Sequence, residues 1–147
     1  MTITATKIVQ VAENRNLEQV RAMNALAAAD SIGKGKEGGR AVAKKVPAQI
    51  VQNGFLGALA FAIESSKDGK DDKNGYGNTF KAIQKHLKDI GKDIGVCDGD
   101  LKGFLDGLCG KSAAELRMVT DESLAYLNYL RRFAKPGKDE QSAEDVA

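Results

Sequence analysis

Apolar residues recur at helical spacing along most of the chain, and little in the pattern points to strands. Asn16 is a good N-cap for the run LEQVRAMNALAAADSI, which ends at the glycine-rich segment GKGKEGG. Residues 1–15 contain KIVQVAENR, which fits either a short helix or an extended N-terminal arm. The pattern therefore predicts a first long helix from Leu17 and leaves the arm open.

The most apolar stretch of the chain is at residues 55–63, where almost every side chain is hydrophobic. Pro47 precedes it, and we expect a kink or a new helix start there, because proline disfavours a helical residue before it. Asn53-Gly54 suits a left-handed C-cap with helix on both sides. The stretch is too short to span a bilayer, so we expect a buried helix with Leu59 and Phe61 in the core.

A charged, glycine-rich segment, KDGKDDKNGYG, predicts an exposed loop at residues 67–77. The run NTFKAIQKHLKDIGKDIG follows it and has the clearest helical periodicity in the chain. Its apolar members form one stripe of five residues, which we expect to face the core: Phe80, Ile83, Leu87, Ile90 and Ile94.

Two or three further helices complete the pattern. Residues 101–108 form a short apolar segment weakened by glycines, and Ser112 and Glu115 have the spacing of a capping box. Thr120, followed by two acids, is expected to start another helix. Residues 136–147 predict an acidic mobile tail. The fold class predicted is all-α: a single compact bundle of about five to seven helices, with its helical domain at residues 16–135.

Composition supports a helical fold, and the N-terminal pattern and the cysteines bear on the cellular compartment. Hydrophobic residues make up 42% of the chain and aromatic residues only 5%, which favours a helical, mainly aliphatic core. The N-terminus shows no apolar run preceded by positive charge, the mark of a secretory signal, so we expect a cytoplasmic protein. Cys97 and Cys109 have no metal-binding spacing, and we expect both thiols to be reduced.

Few residues suggest catalysis. His86 is the only histidine, and therefore the default candidate for a general acid or base, but no Ser or Cys with an orienting acid stands near it in sequence. The favoured interpretation is that His86 flanks the apolar stripe and belongs to no constellation of catalytic residues. Loops starting at Asp72 or Asp98 put apolar or basic residues at ligand positions of an EF-hand. The sequence predicts no catalytic residue, no metal and no cofactor.

Basic residues are more informative than the net charge of +2. Residues 1–46 hold eight basic and four acidic side chains, whereas residues 139–147 hold four acids and no base. Lysines also recur every three or four residues after the loop, on a second stripe of the periodic helix. Such stripes could follow a phosphate backbone or merely keep the surface solvated, and the segregated charge favours an anionic partner. The candidate residues for contact with such a partner are Arg15, Arg21, Arg40, Lys44, Lys45, Lys81, Lys85, Lys88 and Lys92.

Three segments resemble one protein family in order and spacing. They are RAMNAL, AKKVPAQIVQNGFLGALAFAIES and DESLAYLNYLRRFAK. The middle segment is the most specific, with its basic pair, proline, Asn-Gly step and apolar helix. Together they resemble the small all-helical subunit of the type III-B CRISPR effector, the Cmr complex, over residues 15–135.

The resemblance implies a non-catalytic subunit that supports antiviral defence within a ribonucleoprotein. Such proteins stack into a filament beside larger backbone subunits, and the guide and target RNA lie between the two filaments. Partners would be the other effector subunits, copies of this chain and both RNAs, with no membrane. A helical scaffolding module without RNA contact is the alternative, and an RNA-cleaving enzyme that uses His86 is a third hypothesis.

Overall fold

A computed structural model describes residues 15–32, 38–66 and 75–134. These residues form five α-helices and no strand, which confirms the predicted all-α fold. The helices are α1 (Leu17–Ala28, followed by a 3₁₀ turn at Ala29–Ser31), α2 (Gly38–Ser66), α3 (Gly75–Asp89), α4 (Leu101–Cys109) and α5 (Ala113–Phe133). The predicted arm at 1–15, apart from Arg15, and the tail at 136–147 lie outside the described residues.

Local capping signals define the starts of three helices. Asn16 and Gln19 form a reciprocal capping box at α1, and Ser112 and Glu115 form the predicted one at α5. Asp100 caps α4 by accepting a hydrogen bond from the amide of Gly103. Each cap satisfies an amide that the first turn leaves without a partner.

The predicted helix start at Thr120 is wrong, because α5 continues through this position. The Thr120 hydroxyl donates to the carbonyl of Leu116, one turn earlier, at 2.7 Å. A threonine that bonds back along its own helix satisfies its hydroxyl without ending the helix. One long helix therefore spans both predicted segments.

The break in α2 lies at Gly54 and not at Pro47. Within α2, Gly54 has φ 82° and ψ 161°, a conformation that favours glycine, so the break predicted at Asn53-Gly54 is confirmed, although ψ lies outside the αL range of a left-handed C-cap. Dihedral angles at Pro47 stay helical, so a new start at that residue is wrong. The two arms of α2 meet at this glycine.

By length and composition, residues Arg40–Ser65 of α2 could cross a membrane, although the apolar run alone was expected to be too short. Core helices pass the same test. A third (33%) of the most apolar window is buried within the fold. Its buried side chains pack in the core, and they include Val46, Ile50 and Leu59.

The core is centred on α2, which packs against α3, α4 and α5. Phe55 of α2 makes edge-to-face contacts with Phe80 and Phe104, at ring-centroid distances of 5.5 and 5.9 Å. Leu59 is fully buried, as predicted. Phe61 is 44% exposed, so its predicted core position is wrong, and its ring lies against Tyr76 at the surface.

Helix α3 both starts and ends earlier than the sequence predicts. Residues 75–77, assigned to the loop, form its first turn, and Gly75 lies so close to Val42 that a Cβ atom would approach within 2.9 Å. The helix ends at Asp89, since Gly91 and Ile94 both adopt positive φ. Of the predicted stripe, Phe80, Ile83 and Leu87 are buried, while Ile90 and Ile94 follow the helix and are half-buried.

Candidate nucleic-acid interface

A buried polar network joins α1, α3 and α5 beside the lysine stripe. Glu122 of α5 is almost completely buried and accepts two hydrogen bonds from the guanidinium of Arg21 on α1, each at 2.7 Å. The Nε2 atom of His86 on α3 lies 3.0 Å from Oε2 of the same carboxylate, the oxygen that also accepts from Nε of Arg21. Bidentate geometry and a third partner are what a buried carboxylate requires to remain ionised.

The hydrogen bond at Nδ1 of His86 indicates which ring nitrogen carries the proton. Asn24 of α1 places its Nδ2 atom 2.9 Å from His86 Nδ1, so Nδ1 accepts and Nε2 carries the proton donated to Glu122. The imidazole also stacks on Tyr126, with ring centroids 4.3 Å apart. Burial lowers the pKa of His86 and outweighs the opposing effect of the Glu122 carboxylate. The ring is therefore neutral in this arrangement.

Burial by itself would raise the pKa of Glu122. The hydrogen bonds from Arg21 and His86 outweigh that effect, so the pKa of the carboxyl lies below its ordinary value. Lys92 adds a more distant positive charge, with its Nζ atom 3.8 Å from Oε1. The network is thus a carboxylate with three cationic or donor neighbours.

Sequence reasoning missed this network, although α5 carries a signal of it. Val119, Glu122, Tyr126 and Leu127 share one buried face of α5, and Glu122 is the charged member at helical spacing. A carboxylate on a core-facing stripe requires a buried cation or donor. The interpretation of His86 as isolated from any constellation is wrong.

A cavity of about 500 Å³ opens between α1 and α3, next to His86 and Tyr126. One wall comes from the end of α1, including Asn24 and Ala27, and the other from α3, including Asn78, Lys81, Lys85 and Asp89. The two helices run antiparallel, since Asn24 contacts His86 while the amide of Asn78 donates to the carbonyl of Ile32. The cavity is therefore an elongated groove with the lysines along one side.

The four lysines of the stripe have different surroundings. Lys81 and Lys85 are exposed at the cavity and form no ion pair with any described residue. Lys88 is paired with Asp98, which raises the pKa of its ammonium group. Lys92 follows the end of α3 and lies near Glu122. The structure brings only the first two together at an open polar site.

The other candidate residues are dispersed. Arg15 is exposed, and its guanidinium contacts the sulfur of Met23 at 3.2 Å, whereas Arg21 is held by Glu122. Arg40 donates to the carbonyl of Ala134 at 3.2 Å. Lys44 and Lys45 are both exposed on α2. None of these residues lines the cavity between α1 and α3.

A second groove, of about 440 Å³, lies on the other side of the network. Arg21, Lys92 and Arg117 line it together with Asp121 and Glu122. Arg117 was not among the candidates, because the sequence around it shows no lysine or arginine periodicity. Three cations and two acids give this groove a net charge of +1, the same as the first groove, where Lys81 and Lys85 accompany Asp89. The groove differs in that Arg21 and Lys92 both lie near Glu122.

The structure also shows the surroundings of the two cysteines and of the possible metal ligands. Both thiols are free, as predicted, with Cys97 buried and Cys109 exposed. Burial raises the pKa of Cys97 to about 12, so this thiol stays protonated. Among the residues described, no three His, Cys, Asp or Glu side chains are grouped so that they could hold a metal ion.

The fold and this site together define a small helical protein with a histidine committed to buried hydrogen bonds and a groove lined by lysines. The family model of the CRISPR-associated protein (Cas_Cmr5) matches residues 17–136, from the start of α1 to beyond the end of α5. The chain belongs to this family, the small subunits of the type III-B CRISPR Cmr complex, and is a subunit of that complex. No curated protein and no solved structure matches the chain.

Proposed function

We propose that this chain is a non-catalytic, cytoplasmic subunit that lines the guide and target RNA channel of the Cmr complex. It stacks on copies of itself in a filament and supports antiviral defence by stabilising the bound RNA. Lys81 and Lys85 carry the proposal, because they line an open groove and form no ion pair with a described acid. Unpaired lysines one helical turn apart can contact adjacent phosphates and release counterions.

The salt dependence of RNA binding by the assembled complex tests this contact. The double variant Lys81→Gln/Lys85→Gln should bind target RNA more weakly, with the slope of log K against log salt reduced by about 1–2, since one unit is lost per phosphate contact. Lys102→Gln/Lys111→Gln removes the same charge from two exposed lysines outside the candidate set and is the matched control. Equal slopes for both variants and the unmodified complex would favour the scaffolding module without RNA contact.

Lys44 on α2 is a second candidate contact. It is exposed and has no ion pair with a described residue. Lys44→Gln should weaken RNA binding by a smaller amount than the α3 double variant, because one charge is removed. The other six candidates already have an interaction within the chain, so we rank them below these three lysines; they are Arg15, Arg21, Arg40, Lys45, Lys88 and Lys92.

The non-catalytic role is supported by the surroundings of His86. Both of its ring nitrogens form hydrogen bonds and His86 itself is buried, so neither nitrogen is available to a ribose hydroxyl. We expect purified protein and its His86→Gln variant to leave labelled RNA intact under the same conditions. Cleavage by the unmodified chain that the variant lacks would establish the enzyme hypothesis instead.

Filament stacking requires two different patches on each copy, since the contact is head-to-tail. Leu26 on α1 and Val51 on α2 are 64% and 74% exposed, and they belong to helices that do not pack closely on each other. We infer that neighbouring subunits cover such side chains. Leu26→Lys or Val51→Lys should shorten the particles seen by electron microscopy, whereas Ala60→Lys, at another exposed position of α2, should not.

A further inference from the structure

The cavity between α1 and α3 differs from a plain basic surface, because its polar groups are of two kinds. Lys81 and Lys85 supply positive charge on one wall. The amide nitrogens of Asn24 and Asn78 are engaged, with His86 Nδ1 and with the carbonyl of Ile32. Their amide oxygens form no hydrogen bond with the described residues and remain as acceptors. The site therefore offers cations and unused acceptors together.

These groups follow one another along the groove. On α3, Asn78, Lys81, Lys85 and Asp89 lie one turn apart on the same face, and all four line the cavity. Asn24 lies beside His86, at the end of the groove that Asp89 occupies. The lysines thus sit between the two amide positions, and acceptor oxygens are concentrated at the Asn24 and Asp89 end.

The remaining wall is apolar and small. Ala27, Ala28 and Ala82 contribute methyl groups, and the volume of about 500 Å³ is within the usual range for a site that holds one small ligand. A flat ring can lie against methyl groups while its polar edge reaches acceptors at one end. An inorganic anion would fill only a part of this space.

We propose that this cavity binds one nucleotide whose base carries an exocyclic amino group, such as adenine or cytosine. Its phosphate lies against Lys81 and Lys85, and its amino group donates to the oxygens of Asn24 and Asp89. The inference rests on the proposed RNA contact and adds to it, since a backbone contact alone would not select a base. The nucleotide comes either from an unpaired position in an RNA strand or from free solution.

Binding of AMP, CMP, UMP and inorganic phosphate to the full chain, followed by calorimetry and amide NMR, tests the selection. CMP and AMP should bind about tenfold tighter than UMP, which has a carbonyl where cytosine has the amino group, and should shift the side-chain amide signals of Asn24 and Asn78. Equal affinity for CMP, UMP and phosphate would overturn the proposal and leave a general anion site.

A cavity-filling variant separates the base site from the lysine contact. Ala27→Leu narrows the cavity at an exposed position without changing charge, and Ala60→Leu makes the same change on α2, outside the cavity. We expect Ala27→Leu to weaken CMP binding at least about fivefold, with an unchanged melting temperature, and Ala60→Leu to have no effect.

Binding of poly(C) RNA by the same variants identifies the source of the nucleotide. Loss of both CMP and poly(C) affinity in Ala27→Leu would support a strand nucleotide, and loss of CMP affinity alone would support a free nucleotide. If Ala27→Leu changes neither while Lys81→Gln/Lys85→Gln weakens poly(C) binding, the base site is refuted and the RNA contact stands. If neither variant weakens binding, both proposals fail.

Discussion

Replacing Arg21 by alanine tests whether the buried network holds α1 in place. Glu122 would lose two hydrogen bonds of 2.7 Å and keep His86 as its close donor, with Lys92 3.8 Å away. Removing one partner of a buried ion pair costs about 3–5 kcal/mol. Arg21 is 24% exposed and Glu122 keeps partial compensation, so we expect a loss of about 2–3 kcal/mol in the free energy of unfolding.

Urea denaturation followed by circular dichroism measures this loss directly. At about 2–4 °C per kcal/mol for a chain of this size, the melting temperature should also fall by about 4–12 °C. Arg117→Ala, an exposed arginine on α5, is the control and should change stability by less than about 0.5 kcal/mol. Equal losses for the two variants would show that the network contributes nothing beyond a surface arginine.

A paired replacement separates the ion pair from packing. Arg21→Met with Glu122→Leu removes both charges and keeps apolar volume, and such exchanges are often neutral or stabilising. We expect it to recover most of the loss caused by Arg21→Ala. Failure to recover would indicate that His86, left without its carboxylate, dominates the energetics.

Three further predictions follow from burial and backbone geometry. The folded state lowers the pKa of His86, so the unfolded state binds more protons. The stabilisation from this group is therefore complete above about pH 6.5 and is lost as the pH falls through its folded pKa. His86→Gln should reduce the slope of melting temperature against pH between about pH 7 and pH 5. Gly54→Ala should lower the free energy of unfolding in urea by about 1–3 kcal/mol. The cause would be backbone strain alone, since φ is 82° and no neighbouring atom lies within 4 Å of an added Cβ atom. An unchanged stability would contradict this strain. Leu59→Asp should abolish cooperative unfolding, whereas Phe61→Asp, at a side chain 44% exposed, should leave a folded protein by circular dichroism, and similar behaviour of the two would refute the assigned burial.

Local sequence signals predicted much of the fold. The capping box at Ser112 and the left-handed glycine at Gly54 are present because each depends on a few adjacent residues. Periodicity was less reliable at helix ends. The apolar spacing predicted that α3 continues through Ile94. The chain instead turns there, because Gly91 and Ile94 adopt positive φ, which a helix does not allow.

The site was harder to predict than the helices, since it depends on contacts between distant segments. Lysine spacing correctly put Lys81 and Lys85 on one face of α3, but it could not show that Asp98 pairs with Lys88. In the apolar stretch of α2, hydrophobicity on all sides concealed which face is buried, so Leu59 and Phe61 looked equivalent. Spacing within a helix specifies faces, and only the packing of helices specifies partners.

The ion pair between Arg21 and Glu122 joins residues 101 positions apart, and this has a consequence for biosynthesis. A ribosome delivers α1 first and α5 last, so α1 cannot complete its main packing until translation has passed Glu122. Helices α2 and α3 can pair earlier because they are close in sequence. We therefore expect a nascent chain to display Lys81 and Lys85 before α1 docks as the opposite wall of the groove, and the proposed RNA site to mature as one of the last steps of folding.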